Sequence, residues 1–419
     1  MSVWRRVLLA VVCGVAVASI YAAQPVLEPM GRDLGVPAEL TGWIVATGQV
    51  GYLAGLVLLV PLGDLLDRRR LIAGHLALTA TGMVLTASAQ TAWAAFAGLA
   101  LAGVFAVVVQ TTVAYAASVS APGERGRTIG VVTSGVVVGI LGGRMLAGGL
   151  AEVWGWRSVY VVLAALAFVL APLVLALLPA EAKTAVPPAG ARTAVPPAAA
   201  GTAVPPAGIG GGRAPYGRVV ASLGGLLRER LFLTRGLITF FLFASFATLW
   251  SGMALPLAGA PWHLSEAQIG LFGLAGLAGA LGAARAGRWA DSGRAVPVTG
   301  LALALLAASW AGIAQLPWSL WLLAAGVFLL DFAVQVAHVS SQHLLTSAHP
   351  DRASSVIGGY MVFYSLGSAL GAAATTVVFA RAGWTGSSLL GAGFAGCALA
   401  VWAIDRRLAT RTSGRLSAR

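Results

Sequence analysis

Charge is scarce in this chain. Only 10% of its 419 residues are Asp, Glu, Lys or Arg, against about one quarter in an average soluble domain, and 58% are hydrophobic. A water-soluble fold could not cover its surface with so few ionic side chains. Cysteine occurs twice, and Cys13 and Cys397 both sit in apolar runs, so neither a disulfide framework nor a thiolate metal site is expected. Gly-x-Ser-x-Gly, His-Glu-x-x-His and phosphate-cradling Walker motifs are all missing. Their absence argues against an enzyme and against ATP-driven pumping by this chain alone. No catalytic residue, metal or cofactor is expected.

Long apolar runs are what the sequence has in abundance. A membrane helix needs about 20 largely apolar residues. Twelve such runs, separated by short polar or Gly/Pro-rich turns, cover 7–27, 41–62, 71–90, 92–118, 128–150, 158–178, 234–257, 266–285, 297–315, 319–344, 355–379 and 387–404. Trp4-Arg5-Arg6 and the run behind it have the outline of a signal peptide. That run is long, lacks a clear Ala-x-Ala cleavage site and precedes many like it, so it reads as an uncleaved first span. The 54 glycines suit helices packed in lipid, where small residues let backbones approach, and Gly51/Gly55, Gly139/Gly143 and Gly367/Gly371 have the required spacing.

The net charge of +13 is sorted by side. If the N-terminus is cytoplasmic, 23 of the 27 Lys and Arg residues fall on that side, leaving Arg32, Arg157 and Arg381 opposite and Arg144 inside a span. This positive-inside asymmetry predicts a multi-pass protein of the inner (cytoplasmic) cell membrane with both termini in the cytoplasm. It leaves no basic face on a folded domain for nucleic acid.

Between the sixth and seventh spans, Thr-Ala-Val-Pro-Pro-Ala recurs at Thr184, Thr193 and Thr202. Paired prolines favour extended, solvated backbone, so this stretch reads as a tether. The chain divides accordingly into a six-helix bundle (1–179), a cytoplasmic Pro/Ala-rich linker (180–233), a second six-helix bundle (234–404) and a basic cytoplasmic tail (405–419). The bundles match each other at an offset of 224 to 228 residues. Gly63-x-x-x-Asp67-x-x-Arg70 answers Gly287-x-x-x-Asp291-x-x-Arg294, Pro122-Gly-Glu124-Arg125 answers Pro350-Asp351-Arg352, and Gly155-Trp156 answers Gly383-Trp384. Three matches in order indicate a duplicated six-helix unit in which both copies have the same orientation.

Twelve spans, a long central loop and Gly63-Asp-Leu-Leu-Asp67-Arg68-Arg-Arg70 between the second and third spans resemble the major facilitator superfamily. The resemblance implies an all-α integral membrane protein of two pseudo-symmetric six-helix bundles. Tyr21-Ala-Ala-Gln24-Pro25 and Gly155-Trp156-Arg157 are similar to its bacterial drug and sugar efflux branch of proton antiporters. In that family the loop Asp lies near the cytoplasmic start of the eleventh helix and the basic residues close an inner gate. Gly63, Asp67, Arg68, Arg70 and Arg125, with Gly287, Asp291 and Arg294 of the second copy, take those places here. The motif is shortened, the fourth span carries no arginine, and in the antiporter signature of the fifth helix Ile140 stands for proline and Arg144 for the last glycine.

Polar groups inside spans are costly and point to function. Asp331 lies near the middle of the tenth span, and Asp331, Gln335, His338 and Gln342 form one stripe at i, i+4, i+7 and i+11. Asp331 and His338 are the proton-coupling candidates. Gln24, Gln110, Tyr115 and Gln335 are candidates to line a solute cavity. Arg144 has two readings of equal weight: binding a substrate anion, or a structural role, either snorkelling to the outer interface or pairing with an outer-side acid such as Glu28 or Asp33. His75 reads as a packing residue. The expectation is a monomeric secondary transporter exporting a small organic solute in exchange for protons, with a proton-coupled importer as the alternative and a non-transporting sensor as a weaker one.

Overall fold

The computed structural model describes residues 1–64, 66–120, 125–179, 225–275, 289, 294–349 and 353–417. The first half contains α1 (Val3–Tyr21), the short α2 (Leu27–Asp33), α3 (Gly42–Leu58), α4 (Arg68–Ala87), α5 (Ala92–Phe105), α6 (Val108–Ser118), α7 (Arg125–Trp154) and α8 (Trp156–Leu177). The second contains α9 (Arg230–Gly252), the short α10 (Ala254–Ala258) and α11 (Glu266–Leu271), then α12 (Ala295–Ile313), α13 (Leu320–Ala348) and α14 (Ala353–Ser417). Among the described residues, ten helical stretches are long and apolar enough to cross a membrane. The last of them covers Val356–Leu408. Its 53 residues would extend ~80 Å if straight, enough for two crossings of a ~30 Å hydrocarbon core. It turns back at Gly383. Half of the predicted eighth span, 276–285, and the loop residues Gly287 and Asp291 lie outside the described residues.

The all-α architecture follows from lipid, in which every backbone polar group must be satisfied within its own segment. Packing then falls to small residues. A Cβ at Gly139 would come within 2.6 Å of the Gly14 Cα, and one at Gly367 within 2.0 Å of the Phe240 carbonyl oxygen. These contacts press α7 against α1 and α14 against α9, the same crossing in each half. The third pair, Gly51 and Gly55, seats α3 on α5 at Ala100 and Val104.

The two halves also share a chain reversal. Gly155 (φ 77°) separates α7 from α8, and Gly383 (φ 59°) breaks α14, both in the left-handed region that glycine alone enters cheaply. A buried tryptophan follows each. Trp156 Nε1 donates to Asp33 Oδ2 at 3.0 Å, and Trp384 Nε1 to the Ile313 carbonyl at 2.9 Å.

Several boundaries differ from those expected. The fourth span is two helices, with α5 ending at Phe105 and α6 beginning at Val108. α9 starts at Arg230, one turn earlier than expected, and α14 stays helical to Ser417 where a tail was expected from 405. Arg230 Nε donates to Asp405 Oδ1 at 3.0 Å, which ties these two extensions together.

The halves interlock at the end of the bundle away from the termini, the far end. There Gly42 N donates to Thr376 Oγ1 at 3.2 Å, and Thr376 Oγ1 to the Glu39 carbonyl at 2.9 Å. Glu152 at the end of α7 accepts from Ser265 Oγ at 2.9 Å and from the Ala267 amide at 3.3 Å. At the near end, Arg5 Nε donates to the Leu177 carbonyl (2.9 Å), Arg69 Nη1 to Leu178 (3.0 Å) and His349 Nε2 bonds Glu229 (2.5 Å), each inside one half.

Candidate functional site

Arg144 projects from α7 into the seam between the halves and is 1% exposed. The sequence left it two partners near the surface, and both are engaged elsewhere. Glu28 accepts from Arg32 at 2.5 Å, and Asp33 accepts from Arg157 and Trp156. Arg144 Nε instead donates to Gln24 Oε1 of α1 at 2.9 Å. Its guanidinium carbon lies 3.6 Å from the centre of the Trp250 ring, 5.3 Å from that of Tyr21 and 5.6 Å from that of Phe246. A desolvated guanidinium over an indole face gains about 2 kcal/mol or more.

Trp250, on α9, also reaches the acid. Its Nε1 donates to Asp331 Oδ1 on α13 at 3.1 Å, and Asp331 is 4% exposed. One indole thus offers its electron-rich face to the cation of the first half and its N–H edge to the carboxylate of the second. No ion pair within 4.0 Å joins Arg144 to Asp331 among the described residues, although each acts on the other electrostatically. The Tyr21 and Tyr364 hydroxyls hydrogen-bond across the same seam. A small recess opens beside Arg144 and Gln24, walled by Pro25, Met253, Ala254 and Ile269.

Below Asp331 the predicted stripe continues toward the near end. His338 Nδ1 bonds the Tyr360 hydroxyl at 2.9 Å and its Nε2 bonds Gln342 Nε2 at 3.2 Å. Rings of Phe243 and Tyr364 enclose it at 5.1 and 6.2 Å. Gln335, which falls between Asp331 and His338 on the stripe, is half-buried.

Other predicted residues lie elsewhere. Tyr115 is fully buried and donates to the Pro179 carbonyl at 2.7 Å, anchoring the end of α8 rather than lining the recess. Gln110 Nε2 donates to the Tyr52 hydroxyl at 2.7 Å within the first half. His75 packs against Phe105 at 5.8 Å. In the loop motif, Asp67 caps α4 by accepting from the Arg69 amide at 2.9 Å, Gly63 sits beside Arg68, and Arg70 is exposed. Arg294 is exposed at the start of α12, and the side chain of Arg125, first residue of α7, lies outside the described residues.

Sequence reasoning missed Trp250, Tyr21 and Tyr364. A signal for the first existed, since Phe243, Phe246 and Trp250 stand at i, i+3 and i+7 on one helix face.

Comparison with known proteins agrees with this architecture. The Major Facilitator Superfamily model matches residues 9–255 and 235–417. The uncharacterized transporter YgaY of Escherichia coli O157:H7 is 37% identical over 397 residues, covering 94% of each chain. The probable transporter SCO4007 of Streptomyces coelicolor is 31% identical over 387 residues, covering 90% of this chain and 82% of its own. Among solved structures, a bacterial homologue of the human lysosomal transporter Spinster, in an inward-facing and occupied conformation, superposes with a TM-score of 0.75 at 14% identity over 96% of both chains. With its duplicated helices meeting at a buried charged seam, the chain is a multi-pass membrane transporter and belongs to the Major Facilitator Superfamily.

Proposed function

We propose that this transporter is a monomeric secondary carrier of a small organic solute, that it works by alternating access at the Arg144–Trp250–Asp331 seam, and that Asp331 carries the coupled proton. The observation that carries this reading is the placement of Asp331. It is a buried carboxylate held by one hydrogen bond from Trp250, in a seam where Arg144 of the other half supplies the balancing charge. An ionised acid is expensive at that depth, and a proton removes the cost without moving the helix. When the halves rock, the carboxylate exchanges one set of neighbours for another, and its hold on a proton changes with them. His338 and Gln342 continue the polar path toward the near end, which the distribution of Lys and Arg assigns to the cytoplasm.

Export in exchange for protons is the direction implied by resemblance to the efflux branch. It requires solute and proton to compete for one carboxylate. The alternative, import together with protons, is favoured by a specific observation: a buried guanidinium faces the recess, and an anion seated on it leaves the carboxylate free to keep its proton.

In inverted membrane vesicles assayed with a panel of organic solutes, Asp331→Asn should abolish movement driven by a pH gradient while leaving solute exchange measurable. Full gradient-driven accumulation in that variant would reduce Asp331 to a structural partner of Trp250.

A further inference from the structure

The recess beside Arg144 is chemically specific. Arg144 Nε is used by Gln24, whereas Nη1 and Nη2, both buried, have no hydrogen-bond partner among the described residues. A buried guanidinium that leaves two donors unmatched forfeits several strong hydrogen bonds. Trp250 does not supply them, because a ring face satisfies charge and not N–H geometry. Asp331 does not supply them either: its Oδ1 accepts from Trp250, and neither Nη1 nor Nη2 reaches it within hydrogen-bond distance. What fits two adjacent N–H groups in one plane is a pair of oxygens on one atom, the bidentate geometry of carboxylate and its relatives. Beyond the fork the walls change character, because Pro25, Met253, Ala254 and Ile269 offer only apolar surface. A cation would meet the guanidinium head-on, and a dianion would bring one charge more than the single arginine can match.

Building on the reading of Asp331 as the proton carrier, we propose that the solute is an amphipathic organic monoanion whose carboxylate or sulfonate seats on Arg144 Nη1 and Nη2, its apolar body lying against Pro25, Met253 and Ile269, and that each anion crosses in the same direction as one proton. The second half of the proposal follows from charge balance. Arg144 and Asp331 together are neutral. An added anion leaves the buried seam with one uncompensated negative charge unless a proton enters with it. The other titratable groups along the seam are the hydroxyls of Tyr21 and Tyr364, which already bond each other, and His338, which lies about two turns further along α13 and bonds Tyr360 and Gln342. Asp331 is therefore where the proton goes. It arrives with the anion from one side and leaves with it on the other, so the cycle moves no net charge.

The test uses purified full-length protein in liposomes loaded with the pH dye pyranine. The probe is benzenesulfonate, a permanent anion that does not slip through lipid as a neutral acid, with benzenesulfonamide and phenyltrimethylammonium as neutral and cationic counterparts. Benzenesulfonate entry should acidify the lumen and be unaffected by a valinomycin-imposed potential, and the two counterparts should not be carried. Arg144→Gln should abolish entry. Arg144→Lys keeps the charge but not the fork, so it should raise the half-saturating concentration about tenfold or more. Asp331→Asn should exchange benzenesulfonate without acidification. The anion assignment is overturned if the wild type does not carry benzenesulfonate, if the lumen turns alkaline, or if Arg144→Lys behaves as wild type. If phenyltrimethylammonium exchanges for protons and Asp331→Asn stops it, the anion assignment falls while the coupling role of Asp331 stands. If benzenesulfonate still acidifies the lumen through Asp331→Asn, the coupling role falls and the Arg144 variants decide the rest.

Discussion

α7 and the first arm of α14 are one helix built twice, 228 residues apart. Gly139 and Gly143 recur as Gly367 and Gly371, and the left-handed turn at Gly155 recurs at Gly383. Each copy lies against the first helix of its half. At the residue after the second glycine the copies part, with Arg144 in one and Ala372 in the other. Ala372 is fully buried against α3, where a Cβ on Gly42 would come within 2.0 Å of its carbonyl oxygen. The frame that lipid imposes is common to both halves, whereas the chemistry at their seam is divided between them. A second arginine at the Ala372 position would face tight backbone packing against α3.

That asymmetry can be broken at three strengths. Ala372→Arg should do most damage, because a lone buried cation within a span costs about 3 kcal/mol on insertion scales and here displaces α3 as well. The folded fraction recovered from membranes, read by size-exclusion chromatography, should fall sharply. Recovery equal to wild type would mean that the two positions are chemically interchangeable. Gly371→Ala should cost more than Gly143→Ala. The new methyl would meet the Ala244 carbonyl oxygen at 2.1 Å in the first case and the Ala18 side chain at 2.9 Å in the second. Overpacking of this kind costs about 1–3 kcal/mol, and equal midpoints in detergent denaturation would show the two crossings to be equally tight.

The smallest effect concerns the turns. In the first half, the hydrogen bond from Arg157, and then that from Trp156, hold the Asp33 carboxyl below its ordinary value of 3.8. In the second half, Trp384 donates to a carbonyl that does not titrate. A depressed carboxyl contributes stability that is complete above its ordinary value and is lost as pH falls below about 4. Asp33 is half exposed, so the contribution is under about 1 kcal/mol. The melting temperature should drop slightly between pH 6 and 3.5 in the wild type and less in Asp33→Asn, and identical slopes would remove the turn from the pH response.

The helical frame was legible because the rules behind it are local. Apolar length, paired glycines and the Gly-Trp turns act within one or two helices, and among the described residues Gly139/Gly143 and Gly155-Trp156 recur at Gly367/Gly371 and Gly383-Trp384, where the repeat put them. The stripe through Asp331 and His338 was legible for the same reason, since its residues share one helix face. The seam itself was not. Arg144 meets Trp250 and Tyr21 meets Tyr364 across 106 and 343 positions of chain, and nothing in either segment names the other. Tyr115 and Gln110 spend their hydrogen bonds inside the first half. Asp67 could be read as a gate residue from its motif, while locally it serves as a helix cap.

The far-end clasp has a consequence for how this protein can change over generations. Glu152 accepts from the backbone amide of Ala267, and Thr376 binds the backbone of Gly42 and of Glu39. A main-chain amide is supplied by almost any residue, so position 267 can drift without losing its bond, whereas Gly42 is held by its close approach to the Ala372 carbonyl and Ser265 by its own side-chain bond to Glu152. Selection on the clasp therefore falls on Glu152, Ser265, Thr376 and Gly42. The identity of residue 267 is free to follow other demands, and the clasp outlives substitutions there that would erase a contact made by two side chains.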